Sequence, residues 1–470
     1  MRKKLGLLSL SLIGLLSACG GGGGGDGPDP GDPSVPTPPG DDPSGPSGPT
    51  DPSGPVATSR FFLFSGEEVR NTTNPRIETD AGGGVHVVYP AYAVGDAFYA
   101  YCPSNCSSED QASVVELPTE GTVVNAMLAL DTDGTPHVLL STYLAVYYAT
   151  CSGDCRQQSA WSVDSVLEHG GEFEVSGEAF ALDPQGRPRF LMHPYRSLAG
   201  SAAGAYLVAC EADCSRAASW SSSQVSTQRW QESSLRYGAD GTAHVATTAT
   251  LETDGDATAY LTCSADCDSE AGWNGVALYK AFSDPYVSNI YPVASLALTD
   301  DGRPRMLAIG ADDAGGRQLI YYECDTGCTD GGDNWLLNVL IGSDAGNALG
   351  AGLDLTLDAA DHPRLAYTAN ENILAASCDE RCGEGGEGWS VAPVEMSADI
   401  PVDEIIPYYN CTVAAWFLRE PSIAIGADGS PRVAYRAEDI SGSLGSPDPN
   451  YPTCNTGADM TLTRFAQIAG

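Results

Sequence analysis

Apolar residues along most of this chain come in short runs, and the runs recur in a fixed order. An apolar run leads into an acidic turn, and a basic residue then enters a second apolar run. The pattern reads LALDTDGTPHVLL around Asp131 and FALDPQGRPRFLM around Asp183. It returns as IETDAGGGVHVVY, LRYGADGTAHVAT, LALTDDGRPRMLA, LTLDAADHPRLAY and IAIGADGSPRVAY, seven copies in all. The turn glycines are Gly83, Gly134, Gly186, Gly241, Gly302 and Gly429, with Asp361 in that place once, and they are spaced 51 to 68 residues apart. After the second run come a variable loop, a third run ending in Cys (LAVYYATC, TAYLTC, LIYYEC), a short turn, and a Trp that opens a fourth run. Short runs rich in Val, Leu, Ile, Tyr and Thr between Gly, Asp and Pro are strand signals. Four strands per unit at this period predict an all-β chain, a seven-bladed β-propeller of four-stranded blades.

The ends of the pattern predict how the ring closes. The last copy stops after a third strand, 460 to 469, and the first is preceded by an orphan strand, Arg60 to Phe64. Placing that N-terminal strand beside the last one completes the seventh blade and hides both open edges. It also accounts for the lack of a Cys-bearing turn in that blade.

Composition separates the remainder into two segments. Residues 1–18 open with Arg2, Lys3 and Lys4, continue in an apolar run too short to span a membrane, and end in Leu16-Ser17-Ala18 before Cys19. This is a secretory signal, and its end resembles the lipobox of bacterial lipoproteins. The resemblance implies cleavage before Cys19, lipidation of its sulfur, and anchoring in the bacterial cell envelope. Gly20 after the Cys points to the outer membrane. Residues 19–56 are almost wholly Gly, Pro, Asp and Ser, a composition that buries too little to fold, and so form a tether of roughly 35 Å r.m.s. reach. The propeller takes 57–470. The formal charge is −39, and loss of the three N-terminal cations makes it −42. Such a chain repels nucleic acid and anionic lipid, so the only membrane contact expected is the lipid anchor, on a monomer.

Of 15 cysteines, twelve besides Cys19 form CxxxC pairs: Cys102/Cys106, Cys151/Cys155, Cys210/Cys214, Cys263/Cys267, Cys324/Cys328 and Cys378/Cys382. Cys411 and Cys454 are left for each other. In an exported chain such regular pairs read as disulfides. A zinc reading would need two blades to share one ion, with no His near the pairs.

The DxxGxPH/R hairpin and the turn ending in Trp resemble the BNR, or Asp-box, propellers of the sialidase-like superfamily. The resemblance covers about 60–470. The full box, S-x-D-x-G-x-T-W, is nowhere intact; Ser269 to Trp273 and Gly331 to Trp335 come nearest. The resemblance implies the fold and does not carry sialidase activity with it.

The basic residues of the seven hairpins, His86, His137, Arg189, His244, Arg305, Arg364 and Arg432, would form a ring of cations if they faced the channel. Acidic residues six positions earlier (Asp80, Asp131, Asp183, Asp358) make ordinary cross-hairpin pairs the stronger reading. Recurrent tyrosines (Tyr89, Tyr148, Tyr206, Tyr260, Tyr322, Tyr367, Tyr435) and the repeat tryptophans read as packing between blades. Site candidates come from the long variable loops, 281–293, 397–420 and 437–458. They carry Tyr286, Tyr291, Asp403, Glu404, Tyr408, Tyr409, Trp416 and Tyr451, a set suited to a glycan or a protein surface. Asp-rich turns such as Thr253 to Asp256 and Thr299 to Gly302 could bind Ca²⁺ but lack the calcium-loop pattern, so plain turns are the stronger reading and no cofactor is expected. No G-x-S-x-G appears. The sequence therefore predicts a non-catalytic binding module, with a glycoside hydrolase or lyase at the channel mouth as the alternative.

Overall fold

The computed structural model describes residues 57–66, 71–92, 94–195, 204–251, 255–282, 294–342, 349–385, 388–400, 405–406, 411–412, 416–439 and 460–468. Within them, seven antiparallel sheets follow one another along the chain, each running from an innermost to an outermost strand. The first blade is Arg76–Thr79, Val85–Pro90, Ala97–Cys102 and Ser113–Leu117. The innermost strands of blades two, four, five and six are Val123–Leu130, Trp230–Tyr237, Ala294–Leu298 and Leu349–Leu357. In blade three that strand is broken into Phe173–Glu174 and Phe180–Leu182, and Gly177–Glu178 between them pairs in parallel with Trp230–Tyr237 of blade four. Blade seven consists of Trp416–Ile425, Pro431–Asp439, Met460–Ile468 and the N-terminal Ala57–Phe62. The expected closure is present: Phe61 stands opposite Phe465, with their rings 5.3 Å apart. Trp416 to Glu420, assigned to a loop by the sequence pattern, are strand.

Each repeat hairpin folds for a local reason. Asp131 Oδ1 accepts the backbone N–H of Asp133 and of Thr135, and Asp80, Asp183 and Asp358 do the same in their turns. The aspartate thus mimics a turn of backbone. Gly134 then supplies a φ of 79°, which costs glycine little.

The basic residues face into the blades. His86 Nδ1 meets Tyr99 Oη at 2.7 Å and His244 meets Tyr260 at 2.6 Å, while His137 pairs with Tyr148. Burial lowers the pKa of all three imidazoles, so they are uncharged near neutrality. Arg305 and Arg364 donate to the carbonyls of Cys324 and Cys378 at 3.1 Å, and Arg189 to that of Cys210. Arg189 also lies 2.9 Å from Asp183, and Arg364 lies 2.6 Å from Asp358. These residues staple the hairpin to the disulfide turn and form no ring of cations.

Six disulfides join the CxxxC pairs as expected: Cys102–Cys106, Cys151–Cys155, Cys210–Cys214, Cys263–Cys267, Cys324–Cys328 and Cys378–Cys382. Their Cα–Cα separations are 5.6 to 5.8 Å, the ordinary span of such a bridge. With the sulfurs bonded to each other, these cysteines have no thiolate to offer zinc. In five blades the indole N–H of the following Trp donates to the carbonyl of the second Cys. Trp161 does so to Cys155 at 2.9 Å, Trp220 to Cys214 at 2.8 Å and Trp273 to Cys267 at 3.1 Å. Trp335 and Trp389 reach Cys328 and Cys382 at 2.8 and 2.9 Å. In blade one no Trp follows, and Cys106 is buried without that bond. At four blade boundaries the indole also packs on a tyrosine of the preceding blade: Tyr99–Trp161, Tyr148–Trp220, Tyr260–Trp335 and Tyr321–Trp389. Tyr99 and Tyr321 hold this place, where the sequence reading had put Tyr89 and Tyr322. The Tyr89 ring instead stacks on Phe98 inside blade one.

Candidate functional site

Six residues before the hairpin turn, the innermost strands of blades one, three, four, six and seven share a distortion. Asn74, Glu232 and Glu420 have φ of 44°, 50° and 55°, and Gly177 and Gly352 occupy the same place at 73° and 89°. Strand pairing slips here in blades four, six and seven. These are β-bulges, which re-aim side chains at the cost of some strain. Glycine is required at two of them because the neighbouring blade is too close. A Cβ on Gly177 would meet the Glu232 carbonyl carbon at 2.7 Å, and one on Gly352 would meet Glu420 Cα at 2.5 Å.

The bulges place a belt of buried polar groups across the channel. Asn74 Nδ2 donates to Asn125 Oδ1 at 2.7 Å, and the Asn74 backbone N–H donates to Glu420 at 2.7 Å. Asn125 Nδ2 reaches the carbonyls of Val175 and Gly177, both at 3.1 Å. Glu420 also receives Arg436 at 2.9 Å. With these partners, burial of Asn74 and Asn125 is tolerable. The belt lies between the strand positions that line two separate cavities.

The first cavity, about 540 Å³, opens on the face of the variable loops over blades one to three. Its aromatic wall is Tyr92, Tyr143, Tyr195 and Phe173, and Glu174 and Arg436 are its charged groups. Tyr92 and Tyr143 are 51% and 47% exposed, and Leu144 beside them is 60% exposed. Burial, the hydrogen bond to Tyr92 and the nearness of Tyr195 push the Tyr143 phenol up to about 12. Behind the floor, buried His193 places Nε2 2.8 Å from Ser176 Oγ and 3.4 Å from a Glu174 oxygen. A groove of about 840 Å³ meets the cleft at Leu144 and runs outward past Tyr147, Glu120 and Glu168.

Sequence reasoning missed these tyrosines, although a signal was present. Each lies six residues after the hairpin's basic residue: His86 to Tyr92, His137 to Tyr143, Arg189 to Tyr195. The other four repeats have Thr250, Ala311, Asn370 and Glu438 there. Recurrence in three consecutive blades, with exposure, marks a surface rather than packing.

The second cavity, about 320 Å³, lies inside the channel at the hairpin end, and all seven blades contribute to its wall. Its charged residues are Arg76 and Glu78 from blade one, Glu178 from three, Arg236 from four and Asp354 from six. Arg236 pairs with Glu178 at 2.7 Å. Asp354 accepts from Ser295 and Ser422 and from the backbone of Leu355 and Ile423 at 2.7 to 2.9 Å. Burial, with Glu178 nearby, pushes the Asp354 carboxyl up to about 8. Burial pushes Glu78 up to about 7 against the pull of Arg236. Arg236 and Arg76 hold Glu178 low despite its burial.

Most residues singled out from the sequence lie elsewhere. Cys19, Tyr286, Tyr291, Asp403, Glu404, Tyr408, Tyr409, Tyr451 and Cys454 fall outside the described residues, and Cys411 is placed only as backbone in the short strand Cys411–Thr412. The disulfide cysteines line neither the cleft nor the channel cavity. Cys106, Cys267, Cys328 and Cys382, like Cys155 and Cys214, stand in the turns between third and fourth strands, so their part is to brace the blades. Trp416 opens an innermost strand and is fully buried, with its ring 5.3 Å from Phe62; its surface is committed to packing. The Asp-rich turn at Thr299 is closed by Arg303, which binds Asp301 at 2.7 Å. Asp358, His362 and Asp379 lie close enough to share a cation, but Arg364 already bridges the two carboxylates.

No family model and no curated protein matches the chain. Among solved structures it is similar to hydrazine synthase of Kuenenia stuttgartiensis, at 9% identity over 79% of this chain and 95% of that one, with a TM-score of 0.49. It is similar to an ulvan lyase of a polysaccharide lyase family bound to -[GlcA(1-4)Rha3S]-, at 11% identity over 80% and 93%, with a TM-score of 0.45. It is also similar to the intramolecular trans-sialidase from Ruminococcus gnavus, at 11% identity over 87% and 96%, with a TM-score of 0.41. Each likeness is one of overall architecture, and the fold rests on the strand pairing described above.

Proposed function

We propose that this protein is a cell-envelope module, lipid-anchored through Cys19 and displayed on its tether, that binds a neutral glycan chain at the tyrosine-lined mouth. The cleft is the observation that carries this reading. Of the three tyrosines from adjacent blades, Tyr92 and Tyr143 present exposed rings and Tyr195 is half-buried beside them; such rings bury the apolar faces of sugars while their hydroxyls bond at the rim. Continuity with the outward groove at Leu144 suits a polymer rather than a single sugar. The charge of −39, with Glu120, Glu168 and Glu174 along the path, disfavours polyanions.

The test is a glycan array probed with the mature protein and with Tyr143→Ala. The reading holds if a neutral oligosaccharide is retained and the variant loses at least about tenfold in affinity, the ~1.5 kcal/mol expected for one stacked ring. A blank array, or equal retention by the variant, ends it. A protein partner in the envelope would then be sought at the same face.

A second reading, a glycoside hydrolase or lyase, draws on Glu174 and Ser176 at the cleft floor, with His193 buried behind them. Such a group can carry a proton to or from a bound sugar. Turnover of an array hit that disappears in Glu174→Gln while binding persists would establish it.

A further inference from the structure

Arg76 is an unusual buried residue. It is 5% exposed, and its Nε has no hydrogen-bond partner. Its other contacts are Asn74 Oδ1 at 3.0 Å and the Pro75 carbonyl at 3.5 Å. Among the described residues no carboxylate lies within ion-pair distance of it, whereas Arg236, across the channel, has Glu178. Arg76 acts on Glu178 and Asp354 only from beyond that distance, and a buried guanidinium without a close counter-ion is costly unless something else neutralises it. Both arginines line the same 320 Å³ cavity.

We propose that this end of the channel is a binding site for a small oxyanion, held between Arg76 and Arg236, and separate from the tyrosine-lined mouth. The charges of the wall fit that ligand. Asp354 keeps its proton and Glu178 does not, so with both arginines the wall carries a net +1 while Glu78 is protonated. When Glu78 ionises the net charge falls to zero. The Glu78 carboxyl makes no hydrogen bond among the described residues, and its acid form is a donor toward an anion. Blades two, five and seven bring no charged group, and blade four adds only Tyr237 beside Arg236. This is a pocket of local positive charge in a chain of −39. Carboxylate, sulfate and phosphate share the required chemistry, because a guanidinium binds each through paired N–H donors.

The experiment is calorimetric titration of the mature protein with sodium acetate, sodium sulfate and inorganic phosphate at constant ionic strength, at pH 6 and pH 9. Wild type should bind at least one of them saturably at pH 6 and about tenfold or more weakly at pH 9, since loss of one nearby charge is worth more than 1.4 kcal/mol at short range. Preference for acetate would indicate an organic acid, and preference for sulfate or phosphate an inorganic ligand. Arg76→Gln should abolish binding. Glu78→Gln, which keeps a donor and cannot ionise, should show a smaller pH effect than wild type, the remainder coming from Asp354, which ionises near 8. Absence of saturable heat in wild type at pH 6 overturns the proposal. So does unchanged binding in a folded Arg76→Gln. If Arg76→Gln does not fold, Glu78→Gln decides, and a pH effect in it as large as that of wild type overturns the proposal equally.

Discussion

Glutamine at position 78 should make the fold more tolerant of alkali. In the native protein burial raises the Glu78 pKa from 4.5 to about 7. The folded state therefore holds a proton that the unfolded chain releases near pH 4.5. The stability linked to that proton is fully present below pH 4.5 and is lost as pH rises through 7. A shift of about 2.5 units at ~1.4 kcal/mol each sets the loss at on the order of 3 kcal/mol. Glu78→Gln keeps the shape and removes the ionisation. Urea unfolding followed by circular dichroism at pH 4, 6.5 and 9, in buffers without oxyanions, measures the wild-type minus variant difference. Asp354 titrates in both proteins and cancels. The difference should be near its baseline at pH 4 and grow by ~2–3 kcal/mol at pH 9, in favour of the variant. A difference equal at all three pH values would refute the reasoning, since it would mean that Glu78 ionises at its ordinary pKa.

Removal of residues 57–66 takes away the outermost strand of blade seven and bares the Met460–Ile468 edge; light scattering should show oligomers or aggregates, because an open edge recruits other strands. The double variant Cys210→Ser, Cys214→Ser should lower the urea-derived stability by ~2 kcal/mol, the value for closing so short a loop, with glycan retention unchanged. Trp161→Phe loses the bond to the Cys155 carbonyl and part of the contact with Tyr99; ~1–2 kcal/mol should be lost in the same assay.

The part of the protein that follows from local chemistry was legible early. The Asp–Gly turns, the CxxxC pairs with their Trp, and the strand at Phe61 each depend on residues close in sequence or on one missing neighbour. The cross-hairpin pairing of His86 and Arg189 was legible for the same reason. Which recurrent tyrosine faces the next blade was not, because Tyr321 and Tyr322 differ only in which side of one strand they take, and a bulge or a slip of one residue exchanges the sides. The tyrosines of the mouth stood in the sequence at a constant offset from the hairpin. Their meaning depended on three consecutive blades lying side by side.

The channel was beyond the sequence altogether. Arg76, Glu178, Arg236 and Asp354 come from different repeats, and most repeats hold an uncharged residue at the matching position. Arg76 and Asp354 both stand four residues before their turns, and Glu78 and Arg236 two before theirs, but only closure of the ring turns those positions into one wall. Their chemistry is equally a product of that closure: Glu78 and Asp354 are ordinary acids on an isolated strand, and they hold protons near neutrality only because seven strands exclude water around them. The sequence by itself determined the blades, their number, their staples and the strand that closes them, since these arise from period and turn chemistry. Only the tertiary structure decided which side chains share a cavity, and with what charge, since that depends on burial and on neighbours distant along the chain.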